Sequence, residues 1–186
     1  MFPAMCSPVS QPESAPLIPR GPVPGLQLRP FRPGDDTAFR VLNEQWIAKY
    51  FRIEDKDRET LCDPVGKILS HGGHIFLAEV DGRAVGTCAL VAVRPGEFEV
   101  AKMAVDEQRR GAGIGRALLE YTIAQARELG ARRLYLETNN TLKSAIHLYE
   151  TAGFRHLPPD RITPSPYLRA NVFMEMLLGE LPLSLP

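Results

Sequence analysis

Three cysteines in 186 residues is few, and the number is odd. Cys6, Cys62 and Cys88 share no C-x-x-C spacing, which argues against a disulfide framework or a zinc site and for reduced thiols in a cytoplasmic setting. The four histidines, His71, His74, His147 and His156, show no metal-ligand spacing among themselves, so no metal is expected. Net charge is also lacking, because 22 basic and 22 acidic residues cancel. That balance leaves no overall electrostatic footprint for nucleic acid or an anionic membrane. No apolar run reaches membrane-spanning length, and no basic stretch followed by an apolar one opens the chain as a secretory leader would. The remaining class is a soluble globular protein, 44% hydrophobic and 24% charged, long enough for one well-formed core and too short for two.

Proline is abundant, and its placement divides the chain. Seven prolines between Met1 and Gly25 forbid helix and sheet ladders, so residues 1–25 read as an extended or disordered tail. The folded domain is expected over 26–178, with a short tail at 179–186. Leu26 to Arg29 reads as a first strand, and Pro33-Gly34-Asp35-Asp36 as a helix start with aspartates at the positive dipole end. Phe39, Leu42, Trp46 and Tyr50 recur at helical spacing as its buried face. The polar run Arg52 to Glu59 reads as a solvated loop, with the rim of a substrate pocket as the alternative. Asp63-Pro64 caps a short helix that ends at His71-Gly72-Gly73. Three antiparallel strands follow, His74 to Val80, Arg83 to Val93 and Glu97 to Val105, the first two joined by the tight turn Asp81-Gly82. A helix from Ile114 to Gly130 carries Ile114, Ala117, Leu118, Tyr121 and Ala124 as its stripe. A strand at Leu134 to Glu137, a helix from Leu142 to Ala152, a weak strand near Phe154 and a final strand from Asn171 to Leu178 complete an α/β order. A mixed sheet with helices on both faces closes it.

The chain is organised around Glu97 to Leu119, EFEVAKMAVDEQRRGAGIGRALL. Alternation in its first half passes into helical spacing in its last part, and Gly111, Gly113 and Gly115 stand at the handover. Glycines there let the backbone turn without Cβ obstruction, and the first helical turn offers amide N–H groups that lack intrahelical acceptors. With the positive end of the helix dipole, these make an anion cradle, and Arg109 and Arg110 add charge beside it. A plain Gly-rich turn packing a helix on a strand is the simpler alternative. A dinucleotide-binding turn is another, since Glu137 ends the next strand. The third glycine is misplaced for G-x-G-x-x-G, however, and the preceding strand carries Glu99 and Lys102 instead of a continuous apolar run.

The pattern Gln/Arg-x-x-Gly-x-Gly/Ala over Gln108 to Gly113 resembles the pyrophosphate-binding motif of the GNAT superfamily of acetyl-CoA-dependent N-acyltransferases. A second stretch, LYLETNNTLKSAIHLYETAGF over Leu134 to Phe154, is similar to the C-terminal half of a GNAT domain. The resemblance covers roughly residues 26–178 and is nearest to GNAT domains that some bacteria fuse to winged-helix regulators, a module that residues 1–25 cannot form. It implies a sheet splayed between the strand ending at Val105 and the strand ending at Glu137. The pantetheine arm of acetyl-CoA would lie in that gap against the backbone of Met103, Ala104 and Val105. The pyrophosphate would rest on the amides of Arg110, Gly111, Ala112, Gly113, Ile114 and Gly115, with Arg109 and Arg116 adjoining. Where many members carry an asparagine this chain has Leu142, and Asn139 and Asn140 stand nearby as substitutes.

The implied reaction is direct acetyl transfer to a primary amine of a small molecule or peptide, with a non-catalytic acyl-CoA-binding regulatory domain as the alternative. An amine of pKa about 10 is protonated at neutral pH, so a base is needed. Glu99 is the candidate base, with Glu97 on the same strand face; an ion pair of Glu99 with Lys102 is the competing reading. Tyr149 is the candidate proton donor to the departing sulfur, against a core tyrosine bonded to a carbonyl. A backbone N–H near Met103 to Val105 would stabilise the oxyanion. Tyr167 and Arg169 are expected at the acceptor site, Arg169 as an anchor for an acceptor carboxylate. Cys88, mid-strand, is expected in the core, and a homodimer is left open.

Overall fold

A computed structural model describes residues 23–179, so the expectations for residues 1–22 and 180–186 lie outside the described residues. Strand β1 (Leu26–Pro30) is followed by helices α1 (Asp36–Tyr50), α2 (Asp55–Cys62) and α3 (Pro64–Lys67). Then come β2 (His74–Val80), β3 (Arg83–Arg94), β4 (Glu97–Val105), α4 (Ile114–Glu128), β5 (Arg133–Thr138), α5 (Lys143–Ala152), β6 (Arg155–His156) and β7 (Val172–Leu177). The strands form one seven-stranded sheet in the order β1-β2-β3-β4-β5-β7-β6, all neighbours antiparallel except the parallel pair β4–β5. Asp81 and Gly82 both take positive φ, 52° and 74°, as the tight hairpin between β2 and β3 requires.

Side-chain alternation on β2 builds a core on each face of the sheet. Phe76, Ala78 and Val80 join Leu118, Leu119 and Ile123 of α4, while Ile75 and Leu77 join Phe39 and Ile47 of α1 and Leu61 of α2. The buried stripe of α4 is rotated from the expected one. Ala124 is exposed, Ala117 and Tyr121 are half-buried, and Leu119, Thr122, Ile123 and Ala126 face the sheet. Tyr50 likewise leaves the expected buried face of α1; it is 43% exposed and its hydroxyl accepts a bond from Arg110 at 2.8 Å.

The largest departure from the sequence reading is α2. The expected loop contributes a helix from Asp55 because Glu54 and Asp57 form a reciprocal capping box, each side chain accepting the other's backbone N–H. Leu61 supplies its apolar anchor, and Asp57, in the middle of a charged run, is fully buried.

Two irregularities in β4 open the sheet and redirect its side chains. Its pairing with β5 covers only Glu97–Arg133, Phe98–Leu134 and Glu99–Tyr135, after which the two strands diverge. Against β3, Thr87 pairs with Ala104 and Ala89 with Ala101, so Lys102 and Met103 together oppose Cys88 in a β-bulge. Lys102 takes φ +51°, a left-handed conformation that is uncommon for a side chain of its kind. The bulge resets the alternation. Phe98 and Val100 pack with the α4 core, and past the bulge so do Met103 and Val105, while Lys102 turns to α2.

Leu118, wholly buried between α4 and the sheet, tests this packing. Leu118→Ala should lower unfolding free energy by about 2–5 kcal/mol in urea titrations with an unchanged m value. A loss below about 1 kcal/mol would place α4 elsewhere.

Candidate active site

Two concavities open where β4 and β5 diverge. One, of about 250 Å³, is a cleft lined by Met103, Ala104 and Val105 of β4, by Arg109, Arg110 and Gly111, by Ile114 and Gly115 of α4, and by Ser144, Ala145 and Leu148. The other, a cavity of about 100 Å³, lies toward α1 and α2 and includes Asp57, Glu99, Lys102, Glu137, Tyr167 and Arg169 in its wall. Trp46, Met103 and Tyr149 line both.

The cleft has the features of an anion-binding turn. Gly111 and Gly113 take φ +76° and +92°, which L side chains rarely adopt. Gly113 leads into α4 without any side-chain cap, and the first helical bond there runs from the Ala117 N–H to the Gly113 carbonyl. The N–H groups of Ile114, Gly115 and Arg116 therefore precede the helical ladder. The Arg110 N–H, by contrast, already donates to the Glu107 carbonyl at 3.2 Å. A Cβ on Gly115 would lie 3.7 Å from both Met103 Cε and Val105 Cγ2 and 3.8 Å from Leu148, filling the cleft floor. A long phosphorylated ligand with a narrow arm fits this shape: phosphates at the helix start, arm along the unpaired side of β4. Arg110 lines the cleft, and its guanidinium is held by the Tyr50 hydroxyl. The Arg116 side chain turns outward to Thr151 at 2.7 Å.

Asn139 and Asn140 are placed differently from their expected role. Asn139 lines the smaller cavity and ties the loop before β7 by donating to the Arg169 carbonyl at 2.6 Å. Asn140 is exposed, and neither asparagine lines the cleft. Ser144 and Ala145, at the start of α5, stand there instead.

In the smaller cavity the two candidate bases separate. Glu97 is engaged by Arg133 at 2.9 Å. Glu99 forms no ion pair and accepts no hydrogen bond among the described residues, and burial, with the nearby Glu137 charge adding, pushes its pKa up to about 7. Lys102 opposes that shift but is bonded elsewhere, to Asp57 at 2.8 Å and to the Tyr167 hydroxyl at 2.9 Å. Tyr149 places its hydroxyl 3.9 Å from Met103 Sδ, a weak acceptor, and not on a backbone carbonyl. Burial raises its pKa, so the phenol keeps its proton. Cys88 lies in the core, its thiol pushed up to about 12 by burial, which makes it inert as a nucleophile.

Asp57 is the residue the sequence reading missed. It accepts from Lys102, from both terminal nitrogens of Arg169 at 2.6 and 2.8 Å, and from the Glu54 N–H at 3.1 Å. Burial alone would raise its pKa, yet Arg169 and Lys102 outweigh that and hold it below the usual carboxylate range. Arg169 is thus occupied by this chain's own carboxylates, Asp57 and Glu54. The Glu54–x–x–Asp57 capping-box spacing was the signal that could have found the helix. Among the described residues no group of His, Cys, Asp and Glu is arranged to hold a metal ion, and no helix is long and apolar enough to cross a membrane.

Comparison with known proteins agrees with this geometry. The model of the acetyltransferase (GNAT) family matches residues 38–154. Mycothiol acetyltransferase of Sanguibacter keddieii is 34% identical over 163 residues, 81% of this chain and 50% of that protein. The chain spans about half the length of the mycothiol acetyltransferases it matches. An N-acetyltransferase of Escherichia coli described as uncharacterized, YjgM, is 32% identical over 149 residues, 76% of this chain and 86% of that protein. Among solved structures, a GNAT-family acetyltransferase of Staphylococcus aureus superposes with a TM-score of 0.75 at 22% identity, over 83% of this chain and 99% of that one. The Salmonella typhimurium protein yncA, solved with its cofactor acetyl-CoA, gives 0.68 at 18% identity, over 84% and 96%. A splayed mixed sheet, a glycine turn at the head of α4 and a family model covering both motifs together make this chain a member of the GNAT family of acetyltransferases.

Proposed function

We propose that the protein transfers an acetyl group from acetyl-CoA directly to a primary amine of a small molecule or peptide. The observation that carries this reading is the shared wall. Tyr149 and Met103 border both the cleft that fits a phosphorylated arm and the cavity that holds Glu99. Bound acetyl-CoA would supply the acetyl group as a thioester, with a thiol as the leaving group. Met103, Ala104 and Val105 would hold its arm, and Gly111, Ala112, Gly113, Ile114 and Gly115 its phosphates, with Arg109 and Arg110 providing positive charge beside them and Arg116, its side chain turned outward, only its main-chain N–H.

The chain's own groups then divide the proton work. Glu99, with a pKa near 7, is half ionised at neutral pH and takes a proton from the acceptor ammonium, directly or through water. Tyr149, protonated and facing the cleft with only a sulfur beside its hydroxyl, holds the proton that the thiolate receives. The bulge at Lys102 and Met103 interrupts the β3–β4 register beside the cleft, and a main-chain N–H of Met103 to Val105 would serve as the oxyanion donor. The mycothiol acetyltransferases are twice the length of the stretch they share with this chain, so their acceptor is not carried over.

Tyr149→Phe should lower kcat about a hundredfold with little change in the affinity for CoA, measured by thiol release and calorimetry. Full activity in that variant would remove Tyr149 from the reaction. CoA binding without thiol release for any amine would favour a silent acyl-CoA-binding domain.

Glu99 gives two pH signatures. Turnover should rise with pH through about 7 as the carboxyl ionises, and Glu99→Gln should erase that limb and slow the reaction about a hundredfold. Stability moves the other way. The folded state keeps this proton up to about 7, against 4.5 for a free carboxyl, so its contribution is present below 4.5 and is lost as pH rises through 7. In thermal melts the advantage of Glu99→Gln over the parent should therefore grow from pH 5 to 8. A constant offset would contradict the raised pKa.

A further inference from the structure

Among the charged groups facing the acceptor cavity, the two cations are not available and two of the carboxylates are. From α2 comes Asp57, from β4 Glu99 and Lys102, from β5 Glu137, and from the loop before β7 Arg169. Lys102 is only 8% exposed and is held by Asp57 and Tyr167; Arg169 is held by Asp57 through both terminal nitrogens and by Glu54. Glu137 accepts hydrogen bonds from the Tyr135 hydroxyl at 3.0 Å and from the Ser165 hydroxyl, both neutral donors that leave its charge uncancelled. Glu99 has no ion-pair partner among the described residues, and Tyr149 adds no charge. A carboxylate entering this cavity meets two carboxylates and finds both basic side chains already bidentate or doubly bonded. An ammonium meets the opposite field.

Resting on the acetyl-transfer reading above, we propose that the acceptor is a cationic amine with no carboxylate near the reacting nitrogen. Glu137 anchors its positive charge, and Asp57 sets the selectivity by keeping Lys102 and Arg169 away from anionic ligands. Asp57 touches no substrate in this arrangement; it is a specificity residue acting through the two cations it binds. Exclusion of the wrong ligand by an unpaired like charge is one half of such selectivity, and attraction of the right one is the other.

Matched pairs of equal length test this: trimethylenediamine against β-alanine, and cadaverine against δ-aminovalerate. Two quantities are read at about pH 8: kcat/KM by thiol release, and, independent of turnover, the dissociation constant by calorimetry on CoA-saturated protein. Each diamine should be favoured about tenfold or more over its amino acid in both. Glu137→Gln should cut that preference at least about threefold, and Asp57→Asn, which removes the one carboxylate that Lys102 and Arg169 share, should raise use of the amino acids. Should Asp57→Asn fail to fold, Glu137→Gln carries the test alone. Diamines that bind in preference without being acetylated would sink the acetyl-transfer reading and leave the charge selection standing. Equal binding, tighter binding of the amino acids, no binding of any of the four, or an unchanged preference in Glu137→Gln would overturn the proposal.

Discussion

Two parallel neighbours in the middle of the sheet stop pairing after three residues, and the rest of the molecule is arranged around that early stop. A main-chain amide left buried without a partner costs about 1–3 kcal/mol, so strands do not part inside a protein unless something else meets their polar groups. Here the parted edges line open concavities, with solvent or a ligand strand as the natural partner. Residues of helix α5 line the opening, and Ala145, Ile146, Leu148 and Tyr149 on it are half-buried, Leu148 and Tyr149 against the edge of the core. The same opening lets Tyr149 look into both concavities.

The bulge beside the opening is a second consequence of local strain held in place. A left-handed lysine costs about 1–3 kcal/mol, which an isolated strand would relieve by flipping back. Lys102 cannot, because its ammonium is fixed on a fully buried carboxylate that also binds Arg169. Breaking such a buried pair costs about 3–5 kcal/mol, more than the backbone would recover. Asp57 thus joins three segments distant in sequence: the capping box of α2, the bulge of β4 and the loop before β7. Each of them walls the smaller cavity, and one carboxylate joins them there.

What was legible in the sequence depends on how local each signal is. Asp81-Gly82, Asp63-Pro64 and Gly111 and Gly113 of the α4 turn act within a few residues, and all lie where their backbone preferences put them. Alternation located β2, β3 and β4 and put Glu97 and Glu99 on one face. It could not foresee that an extra residue would swing Lys102 from the α4 side to the α2 side. Helix α2 was hidden because Asp-Lys-Asp-Arg-Glu-Thr-Leu-Cys has almost no apolar periodicity. Its burial rests on a carboxylate whose partners lie 45 and 112 residues away. The residues of the α4 motif line the cleft, but the smaller cavity depends on such long-range ion pairs and could only be read from the fold.

The charges along β4 and β5 show the logic of the opening on a small scale. At the paired end, Glu97 faces Arg133, which also holds Glu175, and Arg161 adds a second cation there. Where the two strands begin to diverge, Glu99 and Glu137 have no ion-pair partner among the described residues, and the Glu137 charge helps raise the Glu99 pKa. Two glutamates on one face of β4 behave differently because Arg133 stands opposite Glu97 and Tyr135 opposite Glu99. Folding gains nothing from leaving two carboxylates close together and uncancelled, since like charges repel where an ion pair would attract. Burial and the neighbouring Glu137 charge hold the Glu99 pKa near 7, the range in which a carboxyl can take up and give back a proton at neutral pH.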